Sequence, residues 1–131
     1  MNTIHEFIDH LKDPTKRKVL VVAPMAGISN RPFRTIMRRL GSDISVSELV
    51  SAKGIVYGGK KTLHLIRISD QERPVGIQLF GEDIPSLCEA AKIVEQNGAD
   101  FIDLNFGCPV VKVVRRGAGA VSYTHLTLPT S

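Results

Sequence analysis

The chain has 131 residues, of which 43% are hydrophobic and 23% charged, and carries a formal net charge of +4. That length accommodates one ordinary domain of roughly 100–200 residues and excludes a two-domain enzyme, while the composition excludes a disordered or collagen-like chain. No apolar run approaches the roughly 18 residues of a membrane-spanning helix. The opening MNTIHEFIDHLKDPTKRK lacks the continuous apolar stretch of a secretory signal, so a cytoplasmic protein with no membrane partner is expected.

Taken in chain order, Ile4, Phe7, Ile8 and Leu11 suggest one amphipathic helix within residues 1–18. A β-branched run, residues 19–23 (VLVVA), is strand-sized and stops at Pro24. Next, Phe33, Ile36, Met37 and Leu40 recur at helical spacing, with Ser29 or Asn30 as cap, Pro32 in the first turn and Gly41 past the end. This stripe predicts a core-facing side, with Arg34 and Arg38 on the other. Residues 44–50 (ISVSELV) read as a second strand, followed by a helical stretch over 52–68 that Gly58 and Gly59 interrupt. Residues 75–80 (VGIQLF) read as a third. A helix with the stripe Ile84, Leu87, Cys88, Ala91 and Val94 follows, with Asp83 as cap and Gly98 as stop. Residues 101–106 (FIDLNF) make a fourth strand. Strands and helices alternating at about 25–30 residues are the βαβ pattern of a parallel sheet.

Polar residues on such strands carry the information, because strands covered on both faces are otherwise apolar. Gln78 and Asn105 fall near the C-terminal ends of neighbouring strands, where parallel α/β proteins place their sites. Glu48 turns outward by strand parity unless the strand end bulges, and Asp103 reads as orienting. The loops APMAGISNRPFR, QLFG and NFGCPVVKVVRRGAGA share one rim with them. The cations Lys112, Arg115 and Arg116 form a run without acids, which suits a polyanion partner and equally a solvated helix face. Arg31 and Arg34 could add to a cationic surface, whereas Arg38 and Arg39 read as a solvated face. Cys88 lies on the apolar stripe and is expected in the core. Cys88 and Cys108 are too far apart for a redox pair or zinc knuckle, His5, His10, His64 and His125 have no partners at ligand spacing, and no metal site is expected.

The segments APMAGISNRPFR (23–34), SELVSAKG (47–54), RPVGIQLFGED (73–83) and GADFIDLNFGCPVVKVVRRGAGA (98–120) together resemble the tRNA-dihydrouridine synthases. The resemblance covers the first half of that family's catalytic domain. It implies an α/β fold, the first half of a (β/α)8 TIM barrel with four parallel strands, in an enzyme that reduces the C5–C6 double bond of uridines in tRNA. FMN is the implied cofactor and NADPH its reductant. By position, Pro24, Met25 and Ala26 would line the flavin ring and Gln78 would bond its polar edge. Asn105 would sit at the substrate uracil beside Cys108, and Lys112, Arg115 and Arg116 would meet RNA phosphate. The implied chemistry delivers hydride to C6 and needs a proton at C5. Thiols are ordinarily protonated at pH 7, so Cys108 is the expected acid.

Two other readings remain: an FMN barrel acting on a free pyrimidine, such as a dihydroorotate dehydrogenase, and a non-catalytic RNA-binding half-barrel. The cationic run after Cys108 argues against the first, and the flavin-type motifs against the second. A full barrel takes about 250 residues, so residues 19–120 are expected to be βα units 1–4 of a truncated domain. Such a half is expected to be inactive, to hold FMN weakly and to leave its first and fourth strands as edges open to self-association, and it does not identify which tRNA uridine is modified. The stretch 121–131 (VSYTHLTLPTS) departs from the family and resembles translated adaptor sequence. No function is expected of it.

Overall fold

A computed structural model describes residues 4–120. Four strands, β1 (Val21–Val22), β2 (Ile44–Ser51), β3 (Val75–Phe80) and β4 (Phe101–Leu104), form one parallel sheet in the order β1-β2-β3-β4. Each strand lies beside its predecessor, so every crossover advances in the same direction. A doubly wound sheet reverses direction at a switch point, whereas a barrel does not, and the order here is that of the first four βα units of a barrel. Three strands match the sequence reading closely; β1 is shorter, ending at Val22 before the Pro24 turn.

Local signals set the helix ends. In α2 (Arg31–Arg39) the Asn30 side chain accepts from the Phe33 N–H and Pro32 occupies the first turn, where its missing N–H is harmless. Gly41 follows with φ 106°. The interrupted stretch forms α3 (Ala52–Val56) and α4 (Lys60–Leu65), separated where Gly58 takes φ 67°. A 3-10 turn, Asp70–Glu72, precedes β3, and α5 (Ile84–Gln96) is capped by Asp83 on the Ser86 N–H. The amphipathic N-terminal stretch forms α1 (Ile4–Lys12), and a short α6 (Val111–Val114) closes the described part. The 121–131 segment and His125 lie outside the described residues. Among those described, no helix is long and apolar enough to cross a membrane.

The core lies between the sheet and α3 and α5: Val50, Ala52, Ile55, Ile66, Ile77, Leu79, Leu87, Ala90 and Val94, with Ile102 and Phe106 packed against it. Full burial of an aliphatic side chain of this size contributes about 1.5–3 kcal/mol, so Ile77 and Leu79 anchor β3 firmly. That leaves Gly76, Gln78 and Phe80 to the opposite face of the same strand.

Two helix faces differ from the expectation. In α2 it is Arg34 that is buried, at 1% exposure, while Ile36 and Leu40 are 54% and 75% exposed. The facing elements are polar: Ser42, Asp43, Ser45 and Glu72 are all buried there, so an arginine with a carboxylate to meet fits better than a leucine. Arg34 therefore belongs to the interior and not to a cationic surface. Arg38 also turns inward, donating to the Arg73 and Ser42 carbonyls at 2.8 and 2.6 Å. In α5 the buried residues are Leu87, Ala90 and Val94, and Cys88 is exposed. The helix is rotated from the expected phase because it packs against α3 as well as the sheet, and Leu87, Ala90 and Val94 join Ala52 and Ile55 in one core. Periodicity identifies a stripe, but the partner chooses its centre.

Candidate active site

The turn after β1 stands at the C-terminal edge of the sheet. Pro24 is half-buried, and Met25, Ala26 and Gly27 are exposed. Its shape comes from Ser29, which is buried. The Ser29 hydroxyl accepts from the Met25 N–H at 2.8 Å and donates to the Met25 carbonyl at 3.0 Å, while the Ser29 N–H donates to that carbonyl at 2.9 Å. The Gly27 N–H donates to Glu48 Oε2 at 2.5 Å. The Ala26 N–H has no protein partner among the described residues.

Glu48 reaches this turn because the β2 register slips between Val46 and Leu49. Without the irregularity, period-2 alternation would send its side chain elsewhere. Beyond the slip, Leu49 aligns with Gln78, and Gln78 aligns with Asp103 of β4. The Gln78 backbone N–H donates to the buried Ser47 hydroxyl at 3.0 Å.

A directional row of hydrogen bonds runs from there to the cysteine loop. The Asp103 carboxylate can only accept, so it takes Gln78 Nε2–H, at 2.5 Å. That fixes Gln78 Oε1 toward Asn105, whose Nδ2 donates to it at 3.2 Å. Asn105 Oδ1 is thereby turned to the loop and accepts from the Gly107 and Cys108 N–H groups at 3.1 and 2.9 Å. One carboxylate thus sets the orientation of two amides and the path of the backbone at Cys108.

The loop is closed from its far end by Ala120, whose N–H donates to the Cys108 carbonyl at 3.0 Å. Gly119 permits this. It has φ +65°, and a Cβ there would come 2.5 Å from the Cys108 oxygen. The Gly-Ala-Gly segment thereby shapes the cysteine loop.

The structure brings Ala26, Cys108, Lys112 and Arg116 around one open cavity of about 430 Å³, whose apolar lining includes Leu49, Phe80 and Val110. Lys112, Arg115 and Arg116 are exposed and form no ion pair with any described residue. Pro24, Met25, Gln78, Asn105 and Arg115 lie outside the cavity lining. Arg116 also lines a smaller pocket with Lys53, whose hydrogen bond to Glu82, reinforced by Asp83, raises the ammonium pKa above its usual value. Arg31 lines a second cleft of about 250 Å³ with Glu48, His64 and Arg67, adjacent to the first across Leu65. Among the described residues no group of His, Cys, Asp and Glu is placed to hold a metal ion.

Ser29, Glu48 and Glu72 are the site-shaping residues least visible beforehand. The Ser-x-x-Glu spacing of Ser69 and Glu72 is a legible capping box, and it does form. Nothing local announces that the same carboxylate meets Arg34.

Residues 21–125 match the family model described as dihydrouridine synthase. The chain is 37% identical over 101 residues to tRNA-dihydrouridine synthase B of Xanthomonas campestris pv. campestris, covering 77% of this chain and 30% of that protein. It is 42% identical over 102 residues to tRNA-dihydrouridine synthase B of Pseudomonas aeruginosa, covering 77% and 30%. With tRNA-dihydrouridine synthase B of Escherichia coli K12 the identity is 40% over 105 residues, covering 79% and 32%. The chain thus spans about a third of the length of the curated relatives it matches. A match over most of the chain, at positions that include the Pro24 turn, the Gln78 strand and the Cys108 loop, places it in the dihydrouridine synthase family.

Proposed function

We propose that these residues form part of the catalytic barrel of an enzyme that reduces uridine in tRNA to 5,6-dihydrouridine, with FMN as cofactor and NADPH as reductant. The observation that carries the reading is the row from Asp103 through Gln78 and Asn105 to the Cys108 N–H, beside an apolar cavity with cations at its rim.

The residues present fit a flavin. The cavity is within the roughly 300–1,000 Å³ of small-molecule sites. Ala26 offers an unpaired backbone N–H at its edge, and Gly107 leaves open space where a Cβ would stand. Pro24, Met25 and Ala26 would hold the ring from the β1 turn, although the Met25 N–H is already engaged by Ser29, so its contribution is through the side chain. Gln78 would meet the polar edge with its second amide hydrogen. Bound there, FMN would supply the hydride that C6 of the uracil needs.

Cys108 then provides the proton: the Sγ–H bond breaks, the new bond forms at C5, and the thiolate regains its proton from solvent. Asn105 keeps one Nδ2 hydrogen beyond its bond to Gln78, enough to orient a uracil carbonyl. A base can reach this depth only when splayed out of the RNA stack. Lys112, Arg115 and Arg116, unpaired and exposed, suit the phosphates on either side of it.

The test is dihydrouridine formed in unmodified tRNA by the protein with FMN and NADPH. Cys108→Ala lowers the rate by about 100-fold or more, the usual worth of a general acid. Unchanged product would remove Cys108 from the mechanism, and turnover of free uracil or orotate in place of tRNA would reassign the substrate.

A further inference from the structure

The Met25–Ser29 turn has little apolar anchorage of its own, since Met25 and Ile28 are both exposed. Its position is held by polar contacts from two directions. From β2, Glu48 accepts the Gly27 N–H. From beneath, Arg34 Nη1 donates to the Ser29 carbonyl at 2.8 Å, and Arg34 Nε donates to Glu72 Oε2 at 2.7 Å. The other Glu72 oxygen accepts from the Ser69 N–H at 2.8 Å. Ser29, Arg34 and Glu72 are all essentially inaccessible to solvent.

A buried ion pair of this kind is a poor source of stability, because desolvating both charges offsets most of their attraction, and an apolar pair of equal volume often does as well. An apolar pair, however, cannot grip a carbonyl. Arg34 reaches the Ser29 carbonyl from the buried side, and Ser29 in turn closes on both backbone groups of Met25. On the other flank, the β2 slip that delivers Glu48 to Gly27 also sets the alignment of Leu49 with Gln78. One strand irregularity therefore determines both the height of the turn and the position of Gln78 across from it.

We infer that Glu48 and the buried Arg34–Glu72 pair are positioning residues, which preset the Met25–Ser29 turn in the absence of ligand and so fix the Ala26 N–H at the edge of the cavity. This rests on the reading of that turn as the wall of the flavin site. The two carboxylates touch no reacting atom. They transmit the geometry of β2 and of the segment preceding β3 to an exposed turn that would otherwise sample several conformations, and preorganisation of this kind appears as ligand affinity.

The experiment is residue-resolved amide hydrogen exchange on the full chain without flavin, followed by FMN titration of the same samples. In Glu48→Ala the Gly27 amide exchanges at least about tenfold faster, the loss of a hydrogen bond to a charged acceptor. Amides of β3 and α5 stay unchanged, and Glu48→Gln, which keeps an oxygen at that place, recovers most of the protection. Because removing one member of a buried pair can unfold the chain, the second variant is the apolar double replacement Arg34→Met with Glu72→Leu. It lowers the denaturation midpoint, because the Ser29 carbonyl and the Ser69 N–H lose their partners, but leaves the amides of β3 and α5 protected while exposing the Met25 amide, and both variants bind FMN roughly tenfold or more weakly. Unchanged exchange at Gly27 and Met25 overturns the positioning role, and so does faster exchange with undiminished FMN affinity. If the wild-type chain shows the expected exchange pattern and takes up no FMN, the preset turn stands and what fails is that these residues hold the flavin without the rest of the barrel.

Discussion

Gly76 offers a direct test of how β3 and β4 are fitted together. A Cβ at this position would lie 2.2 Å from Cε2, 2.4 Å from Cζ and 2.7 Å from Cδ2 of Phe101. Carbon atoms in contact prefer about 3.5–4.0 Å, so Gly76→Ala drives its methyl more than about 1 Å into the ring. The ring has little room to retreat, because Gly76 pairs with Phe101 and the next residues, Ile77 and Ile102, pair in register within the core. Overpacking of this kind costs about 1–3 kcal/mol. The alanine also loses less backbone freedom on folding, a gain of about 0.4–1 kcal/mol. The expected net destabilisation is about 1–2 kcal/mol, read as a lower midpoint in urea with an unchanged m-value. The steric account adds a sharper requirement: Phe101→Leu removes the ring atoms in conflict, so the double variant is less destabilised than the sum of the singles by about 1 kcal/mol. A Gly76→Ala chain within about 0.5 kcal/mol of wild type, or strict additivity with Phe101→Leu, would refute the reasoning.

Other outcomes follow from the same contacts. Asp43 has its pKa lowered to about 2, chiefly by the Arg17 guanidinium, which donates to it at 2.5 and 2.8 Å, and also by the Leu20 N–H. A folded pKa below the unfolded value stabilises the native state above about pH 4, and that stabilisation is lost as pH falls toward 2. Its size is about 1–2 kcal/mol once discounted for an Arg17 side chain that is 61% exposed. Arg17→Gln should flatten the acid limb of a stability–pH curve between pH 4 and 2, and an unaltered limb would remove the pair from the account. Gly119→Ala combines the left-handed conformation with a collision at the Cys108 oxygen and costs about 1–3 kcal/mol. Because it displaces the cysteine loop, alkylation of Cys108 should change relative to exposed Cys88, and a constant ratio would contradict the loop-closing role. The Ser45 hydroxyl is buried with no hydrogen-bond partner among the described residues, so Ser45→Ala is neutral or stabilising by up to about 1 kcal/mol in denaturation; a clear loss would mean a partner is present.

Much of the architecture is local and was therefore legible. The runs ISVSELV and VGIQLF, and the first four residues of FIDLNF, are strands because β-branched and large apolar residues recur over strand lengths, and Asn30 and Asp83 cap their helices through bonds that span three residues. The break at Gly58 and Gly59 and the motif that surrounds Cys108 needed no more than the sequence as well. What the sequence could not decide involves groups brought together from afar. The stripe on α2 named Ile36 and Leu40 as core residues, yet the neighbouring elements offered buried serines and Glu72, and Arg34 took the inside position. Cys88 left the core because α5 packs against α3 as well as the sheet with Leu87, Ala90 and Val94. Glu48 met Gly27 only through a slip in strand pairing. The row from Asp103 to Cys108 likewise exists because Gln78 and Asp103, 25 residues apart, align across parallel strands. Periodicity and capping depend on chain geometry within a few residues, so sequence alone determines them; which face is buried and which amide points where depend on the partner that tertiary packing supplies.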